Sequence, residues 1–225
     1  MNPPLPKSPR VLLFDLFGTL VTIRNKRAPY RQLLAWAKTH RALPEGFDAL
    51  DLMRQPLTIE DVAARLTVPV PPEQLKEWQL ALGNELASVE LTPGVEETLP
   101  QLVRGGYVLG VCSNLAAPYG PPALACLATL VPLRSVLSFE VGAVKPEPTI
   151  YAKALEVFGC NAADVLFVGD TWTADVAGPR SAGMAAVWVA QGTAGTPAPC
   201  SIATIADLPE YLTRTFDPTP TTYTR

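Results

Sequence analysis

Polar residues with chemistry to offer stand where short apolar runs end. Asp15 closes the run Val11-Leu12-Leu13-Phe14, and Ser113-Asn114 close the run 107–112. Lys145 follows the run 136–139 across a glycine-containing loop; Asp170 closes 165–168, with Asp175 one turn further on. A carboxylate can serve as nucleophile or hard-metal ligand. A lysine can hold a neighbouring carboxylate ionised, and a hydroxyl can hydrogen-bond a substrate. Singly, each has a plain structural reading: Asp15 as a turn residue, Ser113-Asn114 as a helix N-cap, Asp175 as a first-turn acid, Lys145 as a solvated loop cation. Their joint occurrence at strand ends points instead to a catalytic constellation, because charge at the end of a buried strand is costly without a purpose.

The elements that must position these groups follow from the same pattern. Continuous apolar runs read as strands buried on both faces of a parallel sheet; a further run is 185–189. Between them the spacing predicts helices over 93–103, N-capped by Thr92, over 147–158, ended by Gly159, and over 173–182, ended by Gly183. Strand and helix alternate, which predicts an α/β fold: a Rossmann-like doubly wound parallel sheet. In such a sheet ligands bind at the carboxyl ends of the strands, near a switch in strand order. From about 24 to 90 only helical patterns occur: 28–38, 58–66 with a capping-box start at Thr58 and Asp61, and 71–89. The expected organisation is an α/β core of 1–22 and 91–225 with an all-helical insertion at 23–90. The Thr/Pro-rich stretch 217–225 is expected to fray.

Four segments, in order and each at a strand end, carry a resemblance: Phe14-Asp15-Leu16-Phe17-Gly18-Thr19-Leu20-Val21; Cys112-Ser113-Asn114; Val144-Lys145-Pro146-Glu147-Pro148; and Phe167-Val168-Gly169-Asp170-Thr171-Trp172-Thr173-Ala174-Asp175. Together they resemble the haloacid dehalogenase-like superfamily of hydrolases, and the insertion resembles the helical cap of its first subclass. The resemblance implies Asp15 as nucleophile, forming a covalent aspartyl intermediate. It implies that the turn at Gly18-Thr19 offers backbone N–H groups to a transferring phosphoryl group. Ser113 and Asn114 would bind the same group, and Lys145 would hold Asp15 ionised. Asp15, Asp170 and the Phe17 carbonyl would bind Mg²⁺, with Asp175 ordering the metal's waters or orienting Lys145.

One position departs from the family's phosphatase pattern. Two residues after the nucleophile most family phosphatases carry a second aspartate, the acid–base group; here it is Phe17. Such a group contributes about 10²–10⁴-fold, so a phosphatase without it is expected to cleave esters with good leaving groups or to borrow an acid from the helical insertion or the substrate. The family's dehalogenases carry an aromatic residue there, but are metal-free and lack an acid matching Asp170. The expected function is Mg²⁺-dependent hydrolysis of a small phosphorylated metabolite. The alternatives are 2-haloacid dehalogenation through an aspartyl ester, and a catalytically weak member that binds a phosphorylated ligand or a partner.

Composition bounds the rest. A net charge of −3 argues against nucleic acid as partner. A single histidine, His40, makes a Ser-His-Asp hydrolase unfavourable and excludes a multi-histidine metal site. The four cysteines form no C-x-x-C pair and are expected as buried free thiols in a reducing compartment. No apolar run is long enough to span a bilayer, and the Pro-rich start lacks the apolar run of a signal peptide, so a cytoplasmic protein is expected. No acid occurs from 16 to 44, a stretch holding Arg24, Lys26, Arg27, Arg31, Lys38 and Arg41. A basic entrance of this kind suits a small anionic substrate.

Overall fold

Leu12, Leu13 and Phe14 are fully buried and lie in the middle of the main sheet. They belong to β1 (Val11–Phe14) of a computed structural model that describes residues 8–190 and 200–216. On one side β1 pairs in parallel with β4 (Val108–Ser113), and β4 with β5 (Arg134–Leu137). On the other side it pairs with β6 (Val165–Gly169), which leads to β7 (Ala185–Val189) and β8 (Ser201–Ile202). The order β5-β4-β1-β6-β7-β8 is that of a doubly wound sheet. The chain leaves β1 for β4 and later returns to its opposite side at β6. The switch in strand order therefore lies at the carboxyl end of β1, the place where such sheets bind ligands.

Alternate residues of these strands feed two cores. Leu12, Phe14, Val111, Leu166 and Val168 join one cluster; Val11, Leu13, Cys112, Val165 and Phe167 join the other. Each side chain taken fully from water contributes about 1.5–3 kcal/mol, which is why both faces read as apolar. Helices α5 (Val95–Arg104), α6 (Gly120–Ala128) and α10 (Leu208–Phe216) pack with the first cluster, and α8 (Pro148–Phe158) with the second. Two four-residue helices, α7 (Ser138–Val141) and α9 (Gly178–Ser181), complete the core.

Between β2 (Val21–Ile23) and β3 (Val89–Leu91), which pair as a separate antiparallel ribbon, lie four helices. They are α1 (Pro29–Thr39), α2 (Asp51–Arg54), α3 (Ile59–Arg65) and α4 (Pro72–Leu86). Their apolar faces form a third cluster around Leu33, Ile59, Val62 and Trp78. At α3 the Asp61 amide donates to Thr58 Oγ1 at 3.1 Å and the Thr58 amide to Asp61 Oδ2 at 2.9 Å, the capping box read from sequence.

Several expectations need correction. The helix expected at 93–103 begins at Val95, after Gly94 at φ 86°; Thr92 does not cap it, its hydroxyl having no partner among the described residues. The helix expected over 173–182 is a π-helical turn, Trp172–Ala177, followed by α9. All four cysteines are free, but only Cys112 is fully buried. The stretch 217–225 lies outside the described residues. Among those that are described, no helix is long and apolar enough to cross a membrane.

Candidate active site

Strand register brings the chemistry together. Phe14 stands opposite Val111 on β4 and Val168 on β6, so Asp15, Ser113 and Asp170 leave three adjacent strands at nearly one level. Lys145 reaches the same point from the loop before α8. Its ammonium, almost wholly buried, lies 2.7 Å from Asp15 Oδ1 and 2.6 Å from Asp175 Oδ1. The Ser113 hydroxyl donates to the same Asp15 oxygen at 2.8 Å. One oxygen of Asp15 is thus fixed by two donors, which sets the rotation of the carboxylate.

Burial alone would push the Lys145 ammonium down, but the carboxylates of Asp15 and Asp175 outweigh it, and its pKa is held well above the ordinary value. It is a permanent cation. Burial pushes the Asp175 carboxyl up to about 6, and Asp15 adds to this, against the pull of Lys145. Asp175 is therefore mainly ionised at neutral pH. Its second oxygen accepts from the Thr171 amide at 2.9 Å, inside the π-helical turn. Asp170 is half-buried and raised by that burial and by Asp15 nearby.

Carboxylate oxygens of Asp15, Asp170 and Asp175 lie within 4.8 Å of one another. Three carboxylates meet one ammonium, which is within hydrogen-bonding distance of Asp15 and Asp175, so the cluster carries more acid groups than Lys145 can pair. Two glycines make the crowding possible. A Cβ on Gly18, at φ 91°, would stand 2.2 Å from Asp170 Oδ2; one on Gly169 would stand 2.4 Å from Asp175 Cγ. Oxygen-only ligands at this charge suit a small hard dication.

The Gly18 and Thr19 amides do not point out of the turn as expected: Gly18 N–H donates to Val21 O and Thr19 N–H to Leu16 O. The amides of Leu16 and Phe17 have no hydrogen-bond partner among the described residues; Leu16 is wholly buried, whereas Phe17 is partly exposed and lines a cavity with Asp170. The Thr19 hydroxyl is wholly buried without a partner there. Asn114 is committed to the backbone of Lys145, donating to its carbonyl at 2.8 Å and accepting from its amide at 2.7 Å. Its amide positions the lysine loop.

Phe17 stands over the site with its ring edge-on to Tyr119, centroids 5.9 Å apart. Tyr119, Glu85 and Trp188 carried no sequence signal beyond their residue types. Trp188 on β7 donates to the Asp170 carbonyl at 2.8 Å. The Glu85 carboxylate, buried at the end of α4, accepts from the Tyr119 hydroxyl and from the amides of Arg27 and Ala28. Of the basic stretch, Lys26 and Arg31 line a cavity of about 260 Å³ between the helical insertion and the core. Arg24 is paired with Glu90. His40 stacks on Trp36, exposed, and belongs to no site.

A sequence model of the haloacid dehalogenase-like hydrolases matches residues 9–183. The chain belongs to that family. This hydrolase is 35% identical over 200 residues to phosphoglycolate phosphatase of Haemophilus influenzae, covering 81% of the chain and 86% of the relative. It is 26% identical over 207 residues to glyceraldehyde 3-phosphate phosphatase of Pyrococcus abyssi, covering 81% and 82%. Its fold matches that of L-2-haloacid dehalogenase from Xanthobacter autotrophicus, with a TM-score of 0.60 at 20% identity over 91% of this chain and 98% of that one. Membership makes the chain an enzyme of the hydrolase class.

Proposed function

We propose that this hydrolase cleaves small phosphate monoesters through an aspartyl-phosphate on Asp15, with Mg²⁺ as cofactor and residues 23–90 as a cap over the site. The observation that carries the reading is the third carboxylate. Asp170 beside Asp15 creates negative charge that Lys145 does not balance, and halide displacement has no use for it. Phosphatase relatives support the same choice.

An Asp15 oxygen forms a bond to phosphorus while the ester P–O bond breaks. The leaving oxygen departs with the electron pair and takes a proton from water. A second water then attacks phosphorus, the P–O bond to Asp15 breaks, and phosphate leaves, the spare proton neutralising the hydroxide of the first step. Lys145 and Ser113 orient Asp15, and the Phe17 amide receives a phosphoryl oxygen. Asp15, Asp170 and the Phe17 carbonyl would hold Mg²⁺, with Asp175 beside them; when bound, the ion neutralises charge on the transferring group. The four free cysteines suit a reducing, cytoplasmic setting.

Phe17 favours a second reading, in which Asp15 attacks carbon and a halide leaves. The test is phosphate release from p-nitrophenyl phosphate with Mg²⁺ and with EDTA, beside halide release from 2-chloropropionate. We expect phosphate release that EDTA abolishes, and an Asp15→Asn variant with below a tenth of wild-type activity and unchanged circular dichroism. Halide release unaffected by EDTA would establish the second reading.

A further inference from the structure

The cavity that Lys26 and Arg31 line adjoins a second one of about 250 Å³ that contains Asp170 and Gly18; the two share Phe17, Ile23 and Lys26. Phe17, Ile23 and Lys26 therefore stand between the two cavities, and the leaving group of a phosphoryl group held beside Asp170 has the larger one as its nearest apolar space, past Phe17. Three aromatic side chains, Phe17, Tyr30 and Tyr119, form its walls. Both tyrosine hydroxyls are committed to protein acceptors: Tyr119 donates to Glu85 at 2.5 Å and Tyr30 to the Leu57 carbonyl at 3.2 Å. The cavity therefore receives rings rather than hydroxyls, and rings prefer aromatic partners edge-to-face or offset.

The same wall holds no carboxylic acid free to give a proton. Glu85 is its only carboxylate, and both its oxygens already accept from the protein. A leaving group here must depart without an adjacent carboxylic acid, which an aryloxide does far more readily than an alkoxide. Lys26, which lines both cavities, and Arg31, which lines the larger one, are exposed, and their side chains have no hydrogen-bond or ion-pair partner among the described residues. Two unpartnered cations beside an apolar space suit a second anion carried on the ring.

We propose that the substrate is an aryl phosphate bearing a second anionic group, its ring held between Phe17, Tyr30 and Tyr119 and its carboxylate read by Lys26 and Arg31. This rests on the phosphatase reading. The aryloxide leaves phosphorus with the P–O electron pair and takes its proton from water.

The test compares 4-methylphenyl phosphate with 4-(carboxymethyl)phenyl phosphate, whose phenols are nearly equal in acidity, in the full chain with saturating Mg²⁺. We expect a KM about tenfold lower for the carboxylated ester, one ion pair's worth of discrimination. In a Lys26→Ala/Arg31→Ala double variant, both positions being exposed, that ratio should fall to about one. Equal KM values in the wild type, or a ratio that survives in the double variant, overturn the anion assignment. If 2-phosphoglycolate, anionic but without a ring, is turned over as efficiently as the carboxylated aryl ester, the aromatic assignment falls. If Mg²⁺ supports no phosphate release from any of the three, the phosphatase reading itself has failed.

Discussion

Phe17 has two consequences that pull in opposite directions. It removes an acid–base group from beside the nucleophile, and it supplies a ring to the wall shared with Tyr119. Replacing it with aspartate should separate the two. With saturating Mg²⁺, Phe17→Asp should gain about tenfold or more on alkyl phosphates, where protonation limits departure. It should lose affinity for aryl phosphates at the same time; parallel steady-state assays on the two ester classes check both. Asp170 makes a complementary prediction about charge. Burial and then Asp15 hold its carboxyl above the usual range. A carboxyl raised on folding favours its protonated form in the native state, so ionising it costs stability as pH rises through the folded value. In metal-free buffer at pH 7, Asp170→Asn should therefore melt higher than wild type, by about 2–4 °C for each kcal/mol relieved. The advantage should fade as pH falls below the ordinary carboxylate range, where wild-type Asp170 is protonated too. Mg²⁺ should reverse the order, because only the wild type gains fully from binding it. Thermal scans across pH, with and without Mg²⁺, read all three effects.

Elements carry these side chains to one place, and the loop holding Lys145 shows how. Asn114, just past β4, makes two hydrogen bonds to the backbone of Lys145, 31 residues away. Asn114→Ala would leave an amide and a carbonyl of that loop unpaired, at about 1–3 kcal/mol each if they stay dry. We expect a fall of several degrees in melting temperature, with kcat reduced more than KM because the ammonium loses its position against Asp15. Paired melts and kinetics check it; an unchanged kcat would mean that the loop holds itself. The strands and their closing residues were legible in sequence because a strand buried on both faces must be continuously apolar and its polar terminus stands out. The ribbon of β2 and β3 escaped notice because three-residue strands leave no period to read. The 173–182 helix was read whole because sequence does not show that Asp175 folds back onto the Thr171 amide, as it does in the π-helical turn. The Gly18 and Thr19 amides were assigned outward because composition marks a turn without saying where its N–H groups point. Glu85, Tyr119 and Trp188 acquire their parts only through contacts distant in sequence.

At the scale of the whole molecule, the question is what joins the helical insertion to the core. Besides the β2–β3 ribbon, Glu85 ties three pieces together: the end of α4, the linker at Arg27 and Ala28, and Tyr119 after β4. Ala28 sits in the left-handed region at φ 55°, a conformation that costs a non-glycine residue energy and persists only when its surroundings hold it. The Glu85 carboxylate, 1% exposed, is part of that hold, since it accepts from the Ala28 amide at 2.5 Å. Glu85→Ala removes the acceptor from two amides and a hydroxyl at once. A loss of at least about 2 kcal/mol is expected from the donors left unpaired, a fall of roughly 4–8 °C for a chain of this size. Tyr119→Phe removes one donor and keeps the ring, so about 1 kcal/mol should go, with the aromatic wall intact. Because the two residues share a bond, the double variant should lose less than the sum of the singles. Hydrogen exchange should rise at the amides of Arg27 and Ala28 in Glu85→Ala and stay low there in Tyr119→Phe, since the second change leaves the carboxylate on the linker. If Glu85→Ala melts within a degree of wild type and exchanges no faster at those amides, Glu85 does not set the position of the insertion, and the ribbon and the Arg54–Glu147 ion pair hold it.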